Sequence, residues 1–152
     1  MRVLWVDDDS YGLLQPLYRM LERKGGLSVK RATNFKDAAK FLKDAYPALN
    51  TRYGSLLVDI ILPEAQGGGS LASDLGIKLA ELSAVSYGIK SVAFLTVVRQ
   101  DEVVDKYVEL EGNYPDVQFS YFDKTALLSR GEIEMLIERL GGHGQEVNKN
   151  GS

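Results

Sequence analysis

Short apolar runs alternate with amphipathic stretches along nearly the whole chain, the pattern of a parallel sheet covered by helices on both faces. The first run, Val3-Leu4-Trp5-Val6, has no polar position and reads as a strand buried on both sides. A helix is expected over Gly12 to Lys24, where Leu13, Leu14, Leu17, Met20 and Leu21 share one stripe. Pro16 removes an amide donor inside that span, so the helix either starts late, near Leu14, or is kinked. Gly25-Gly26 ends it, and Leu27 to Ala32 alternates in polarity as an edge-like strand. Thr33 or Asn34 caps a second helix carrying Phe35, Ala38, Ala39, Leu42 and Tyr46 at helical spacing, which stops before Pro47.

The third strand is Ser55 to Asp59. The stretch Leu62-Pro63-Glu64-Ala65-Gln66-Gly67-Gly68-Gly69-Ser70 is too glycine-rich for regular structure and is expected as a long connection. A third helix follows over about Asp74 to Val85, with Leu75, Leu79 and Leu82 facing inward. Lys90 to Val97 is the fourth strand, and Asp101 to Glu111 a helix whose Val103, Val104, Tyr107 and Val108 make an apolar stripe. The fifth strand, Val117 to Phe122, leads through Lys124 to a last helix. Ser129 and Glu132 form its capping box, and Ile133, Leu136, Ile137 and Leu140 its buried face. The expected fold is α/β: one doubly wound, five-stranded parallel sheet with five helices in a single domain over residues 1–140. Residues 141–152 read as a solvated tail or the start of a linker.

Composition narrows the function. The 152 residues suit one ordinary domain with a real core, and 45% hydrophobic with 26% charged residues excludes a largely disordered chain. A formal net charge of −3 leaves no footprint for nucleic acid. With no cysteine there is no thiol nucleophile or thiolate metal site, and the single histidine, His143, excludes histidine triads and multi-histidine zinc sites. Neither a signal-peptide pattern nor an apolar stretch near the roughly 20 residues of a membrane span is present, so the cytoplasm is the expected address.

The chemistry gathers at strand ends. Asp7-Asp8-Asp9 closes the first strand, Asp59 the third, Thr96 the fourth, and Lys124 follows the fifth. In an open parallel sheet these ends share one edge, where ligands bind near the reversal of strand order. Carboxylates crowded there repel one another unless a cation joins them, which outlines a magnesium site.

In that order, these residues resemble the receiver domain of two-component response regulators. The matching marks are Asp7-Asp8, Asp59 followed by Ile60-Ile61-Leu62-Pro63, Thr96, and Tyr121 three residues before Lys124, and the resemblance spans roughly residues 1 to 140. It implies the flavodoxin-like receiver topology and makes Asp59 the phosphoacceptor, taking its phosphoryl group from a histidine kinase or phosphotransfer protein. Mg2+ is then held by Asp7, Asp8, Asp59 and the backbone carbonyl of Ile61, Lys124 adds a positive charge, and the Thr96 hydroxyl donates to a phosphoryl oxygen. Further implied are slow self-dephosphorylation and a switch in which Thr96 moves inward and Tyr121 enters the space behind it. A downstream protein or output domain would read the altered surface over the fourth helix, fifth strand and fifth helix.

Some positions depart from the family pattern. Val97 stands where a small residue is usual, and its bulk would narrow access to the site; Thr125 stands where proline is common. Gly67 is expected as the family's turn glycine, with an insertion from Gly68 to about Ser73. Two other readings compete. A phosphohydrolase of the haloacid dehalogenase type would use Asp7 as nucleophile with Asp9, Thr96 and Lys124, leaving Asp59 idle. An interaction module would keep the fold without phosphotransfer. With no helix-turn-helix pattern or catalytic output after Leu140, the chain reads as a stand-alone receiver or as one cut from a longer polypeptide.

Overall fold

A computed structural model of the chain describes residues 2–66, 68–72 (backbone), 74–124 and 129–142. Its elements run β1 (Arg2–Val6), α1 (Gln15–Arg23), β2 (Ser28–Ala32), α2 (Phe35–Ala45), β3 (Ser55–Val58), β4 (Leu62–Ala65) and β5 (Gly68–Ala72). They continue with α3 (Leu75–Ser86), β6 (Ser91–Thr96), α4 (Val104–Asn113), β7 (Gln118–Asp123) and α5 (Arg130–Arg139). Five strands form one parallel sheet in the order β2-β1-β3-β6-β7. Successive residues of β1 point to opposite faces, and both faces are covered. Leu4 and Val6 join Leu56, Val58, Val92 and Phe94 beneath Leu42 of α2, Leu79 of α3 and Leu110 of α4. Val3 and Trp5 join Leu57, Ala93 and Leu95 beneath Leu17 and Leu21 of α1 and Leu136 and Ile137 of α5. Burial on both sides explains why the central strands lack polar alternation, and each large side chain so buried contributes about 1.5–3 kcal/mol.

The local signals explain most boundaries. Pro16 sits in the first turn of α1, where a missing N–H costs nothing, so the helix starts late and does not need to bend. The Asn34 side chain accepts from the Asp37 N–H at 2.8 Å to cap α2, and Ser129 and Glu132 form both bonds of a capping box at α5. At the opposite end of α5, the Ser55 hydroxyl donates to the Leu140 carbonyl at 2.9 Å and the Ser91 hydroxyl to the Arg139 carbonyl. Two serines that start β3 and β6 thus satisfy carbonyls that a helix terminus leaves without partners.

Two expectations are corrected. The glycine-rich segment after Asp59 is not irregular: β4 and β5 pair as an antiparallel hairpin, with Leu62 opposite Ala72, Pro63 opposite Leu71 and Ala65 opposite Gly68. Leu62 is fully buried and anchors the hairpin base, while Pro63 is tolerated because this two-stranded piece has no central ladder to interrupt. Likewise, the helix expected from Asp101 is broken. A 3₁₀ turn covers Gln100–Glu102, Val103 leaves the helical region at φ −125° and ψ 17°, and α4 begins at Val104. Its apolar stripe is divided too: Val103 and Tyr107 are half-buried, whereas Val104 (47%) and Val108 (58%) face solvent and Leu110 carries the burial. Gly67, Ser73, Thr125, His143 and the tail beyond Gly142 lie outside the described residues.

Candidate functional site

Strand order reverses between β1 and β3, and the two strands pair in register with Val6 opposite Val58. The residues that follow, Asp7 and Asp59, are therefore lateral neighbours at the carboxyl edge of the sheet. The Asp59 N–H donates to the Val6 carbonyl at 3.1 Å and the Asp7 N–H to the Ala32 carbonyl at 3.0 Å, which carries the sheet ladder right up to the acids. Asp7 and Asp59 are buried and Asp8 is exposed, yet one carboxylate oxygen from each lies within 4.8 Å of the other two.

Lys124 reaches the same point from β7. Its N–H donates to the Thr96 carbonyl at 2.8 Å, continuing the β6–β7 pairing by one residue. The ammonium then lies 2.5 Å from Asp59 Oδ2 and 2.7 Å from Asp7 Oδ2. The contact with Asp59 is a directed hydrogen bond, whereas that with Asp7 is an ion pair outside hydrogen-bond geometry. Asp7 Oδ1 accepts from the Asp9 N–H at 2.8 Å, and the Ile61 N–H approaches Asp59 Oδ1 at 3.4 Å.

The electrostatics are strained. Burial pushes the Asp7 carboxyl from 3.8 up to about 6, against the pull of Lys124 and with a small further push from Asp59. For Lys124, burial would lower the ammonium, but its hydrogen bond to Asp59 and its ion pair with Asp7 outweigh that and raise it. One ammonium thus serves two buried carboxylates with a third at their exposed side. An all-oxygen donor set with an open flank fits a hard divalent ion that keeps some of its water, such as Mg2+ or Mn2+.

The switch candidates sit beside this group. Thr96 is fully buried, and its hydroxyl oxygen accepts from the Val98 N–H at 3.2 Å. The half-buried Tyr121 donates its hydroxyl to the Val98 carbonyl at 2.6 Å, and its ring lies 6.0 Å from that of Phe94 and 5.9 Å from that of Tyr107. Burial, with Glu102 and Asp59 nearby, pushes the Tyr121 phenol up to about 12, so it stays a donor at any ordinary pH. Tyr121 is therefore already seated against Phe94 and Tyr107. Val97 is 51% exposed at the end of β6.

Sequence reasoning missed two residues here. Val98 meets both switch candidates, Thr96 and Tyr121, through its backbone, a role that leaves no trace in residue type. Gly76, in the first turn of α3, donates its N–H to the Ile60 carbonyl at 2.9 Å. A Cβ there would lie 1.9 Å from the Asp59 carbonyl oxygen. Its one available signal was a glycine between Leu75 and Ile77 at the mouth of an amphipathic helix. Asp9, which the phosphohydrolase reading requires beside Asp7, is exposed and is not among the clustered acids, whereas Asp59 is.

No family model and no curated protein matches the chain. Solved structures do match. A CheY-like response regulator receiver domain protein from Methanospirillum hungatei JF-1 is 22% identical, with 98% of this chain and 97% of that one covered at a TM-score of 0.60. A two-component response regulator from Legionella pneumophila is 19% identical over 92% of this chain and 97% of that one, also at 0.60. The Mn2+-bound form of response regulator Rcp1 is 22% identical over 90% and 89%, at 0.57. The chain has the fold of response regulator receiver domains over nearly its whole length. Among the described residues no helix is long and apolar enough to cross a membrane.

Proposed function

We propose that the chain is a phosphoacceptor receiver of a two-component phosphorelay, with Asp59 accepting a phosphoryl group from a phosphohistidine on a histidine kinase or phosphotransfer protein. The observation that carries this reading is the Lys124 ammonium in contact with both Asp59 and Asp7, with Asp8 completing an acidic triad. A carboxylate oxygen of Asp59 attacks phosphorus. The P–O bond forms as the P–N bond breaks, and the electron pair returns to the imidazole nitrogen. In such a transfer the protein contributes placement and charge neutralisation.

Lys124 supplies one positive charge to the transferring group, and the Thr96 hydroxyl, by turning from the Val98 N–H, supplies a donor. Mg2+, held by Asp7, Asp8, Asp59 and the Ile61 carbonyl, would offset the remaining phosphoryl charge. The Mn2+-bound response regulator of the same fold supports a divalent ion here. Phosphorylation adds about −1.5 to −2 charge and three strong acceptors beside Thr96, which is the impulse for a change at Val98 and Tyr121. A downstream protein or output domain would read that change in the cytoplasm.

The test is labelling with acetyl phosphate or beryllofluoride, followed by intact mass and fluorine NMR. Labelling is expected with Mg2+ and not without it, and Asp59→Ala should abolish it. Label that persists in Asp59→Ala and disappears in Asp7→Asn would instead support the phosphohydrolase chemistry.

A further inference from the structure

Asp59 must meet Lys124, Asp7 and a phosphodonor at once, and a site of this kind works only when its side chains are held to about 0.5 Å. From its N-terminal side the sheet does the holding, through the Asp59 N–H to the Val6 carbonyl. On the C-terminal side the chain has already left the sheet, since β3 ends at Val58. What meets the backbone there is the first turn of α3.

The Gly76 N–H donates to the Ile60 carbonyl at 2.9 Å. A Cβ built on Gly76 would lie 1.9 Å from the Asp59 carbonyl oxygen, 2.7 Å from its carbonyl carbon and 2.6 Å from the Ile60 Cα. All three are backbone atoms, so no side chain can swing aside to make room. Gly76 does not adopt positive φ, and its need for glycine is therefore one of space and not of conformation. The β4–β5 hairpin lies between the two partners in sequence. Its base, with Leu62 paired to Ala72, closes the insertion so that the chain returns to Asp59.

We infer that Gly76 is a positioning residue for Asp59: the bare Cα lets α3 dock on the Asp59–Ile60 backbone and fix the direction in which the acceptor carboxylate points. This deepens the phosphoacceptor reading and rests on it. Gly76→Ala must separate α3 from Asp59 or turn the Asp59 peptide. Supporting contacts one shell away from a metal carry about 10- to 100-fold in affinity. The variant should therefore bind Mn2+, followed by electron paramagnetic resonance, at least about tenfold more weakly and take beryllofluoride correspondingly less. Leu79→Ala, a core truncation on the same helix, is the control. It should lower the Tm while leaving Mn2+ affinity and labelling at the level of the unsubstituted chain.

If Gly76→Ala does not fold, the unsubstituted protein still decides the matter. In a Mg2+ titration followed by amide NMR, the Gly76 resonance should shift with the same midpoint as that of Asp59. A Gly76 amide that stays still while the Asp7 and Asp59 amides move would overturn the inference, and so would labelling of a folded Gly76→Ala at the normal level. Absence of label and of Mn2+ binding in the unsubstituted chain would remove the phosphoacceptor reading and this inference together.

Discussion

Strands β3 and β6 each begin at a serine and lead to a site residue, and the two ends of these strands treat buried polarity in opposite ways. At one end, Ser55 and Ser91 give neutral hydroxyl protons to the last carbonyls of α5. At the other, Asp59 lies beside Asp7, two like charges out of water sharing one ammonium. The first arrangement is satisfied within the chain. The second is satisfied only in part, and the part left over is a site that added positive charge could complete. Burial at the serine end stabilises the fold, while burial at the acid end leaves negative charge that a cation could offset.

The sharpest way to break this contrast is to remove the shared cation. Lys124→Ala leaves two buried carboxylates facing each other, and by analogy with other broken buried pairs it should cost about 3–5 kcal/mol at pH 7 in urea unfolding. Millimolar Mg2+ should recover part of that loss. Equal stability of variant and parent without Mg2+ would mean that the acid end is not under strain.

Asp7→Asn tests the same end with the opposite sign. The folded carboxyl titrates near 6 against 3.8 unfolded, so the folded state binds the Asp7 proton more tightly. Neutral Asp7 is therefore tolerated, and the cost of its charge is absent at low pH, grows between about 4 and 6, and is complete above that. At about 1.4 kcal/mol per unit of pKa, the shift corresponds to about 3 kcal/mol at most. Asp7→Asn should thus be more stable than its parent at pH 7 and indistinguishable from it below about pH 4, and it should bind Mg2+ more weakly. A stability difference that does not change with pH would contradict this account. At the quiet end, Ser55→Ala and Ser91→Ala should each cost about 1 kcal/mol and leave Mn2+ affinity unchanged.

The division also marks what could be read from the sequence. Asp7, Asp59, Thr96 and Lys124 were legible because each closes an apolar run, and in a parallel sheet the end of a run is a position in space. The parallel sheet followed from the same alternation, and its strand order from the resemblance to receiver domains. Other features were hidden because they depend on contacts between distant segments. Gly76 earns its place through three backbone atoms of β3's continuation, whereas Gly67, the glycine expected for the turn, lies outside the described residues. Pairing of β4 with β5 was masked by a composition that ordinarily signals irregular chain. Within α4 the period was visible, but a helical period alone does not say which of Val104, Val108 and Leu110 the sheet will cover.

The Val98 contacts have a dynamic consequence. Its amide is held by a hydroxyl from one strand and its carbonyl by a phenol from the next, so the two side chains are gripping the same residue from opposite sides. If Thr96 turns toward a phosphoryl oxygen, an N–H that is half-buried loses its acceptor, which costs about 1–3 kcal/mol until another is found. The Val98 backbone thus ties the two side chains together, so that a turn of Thr96 would remove a support from the residue that Tyr121 holds.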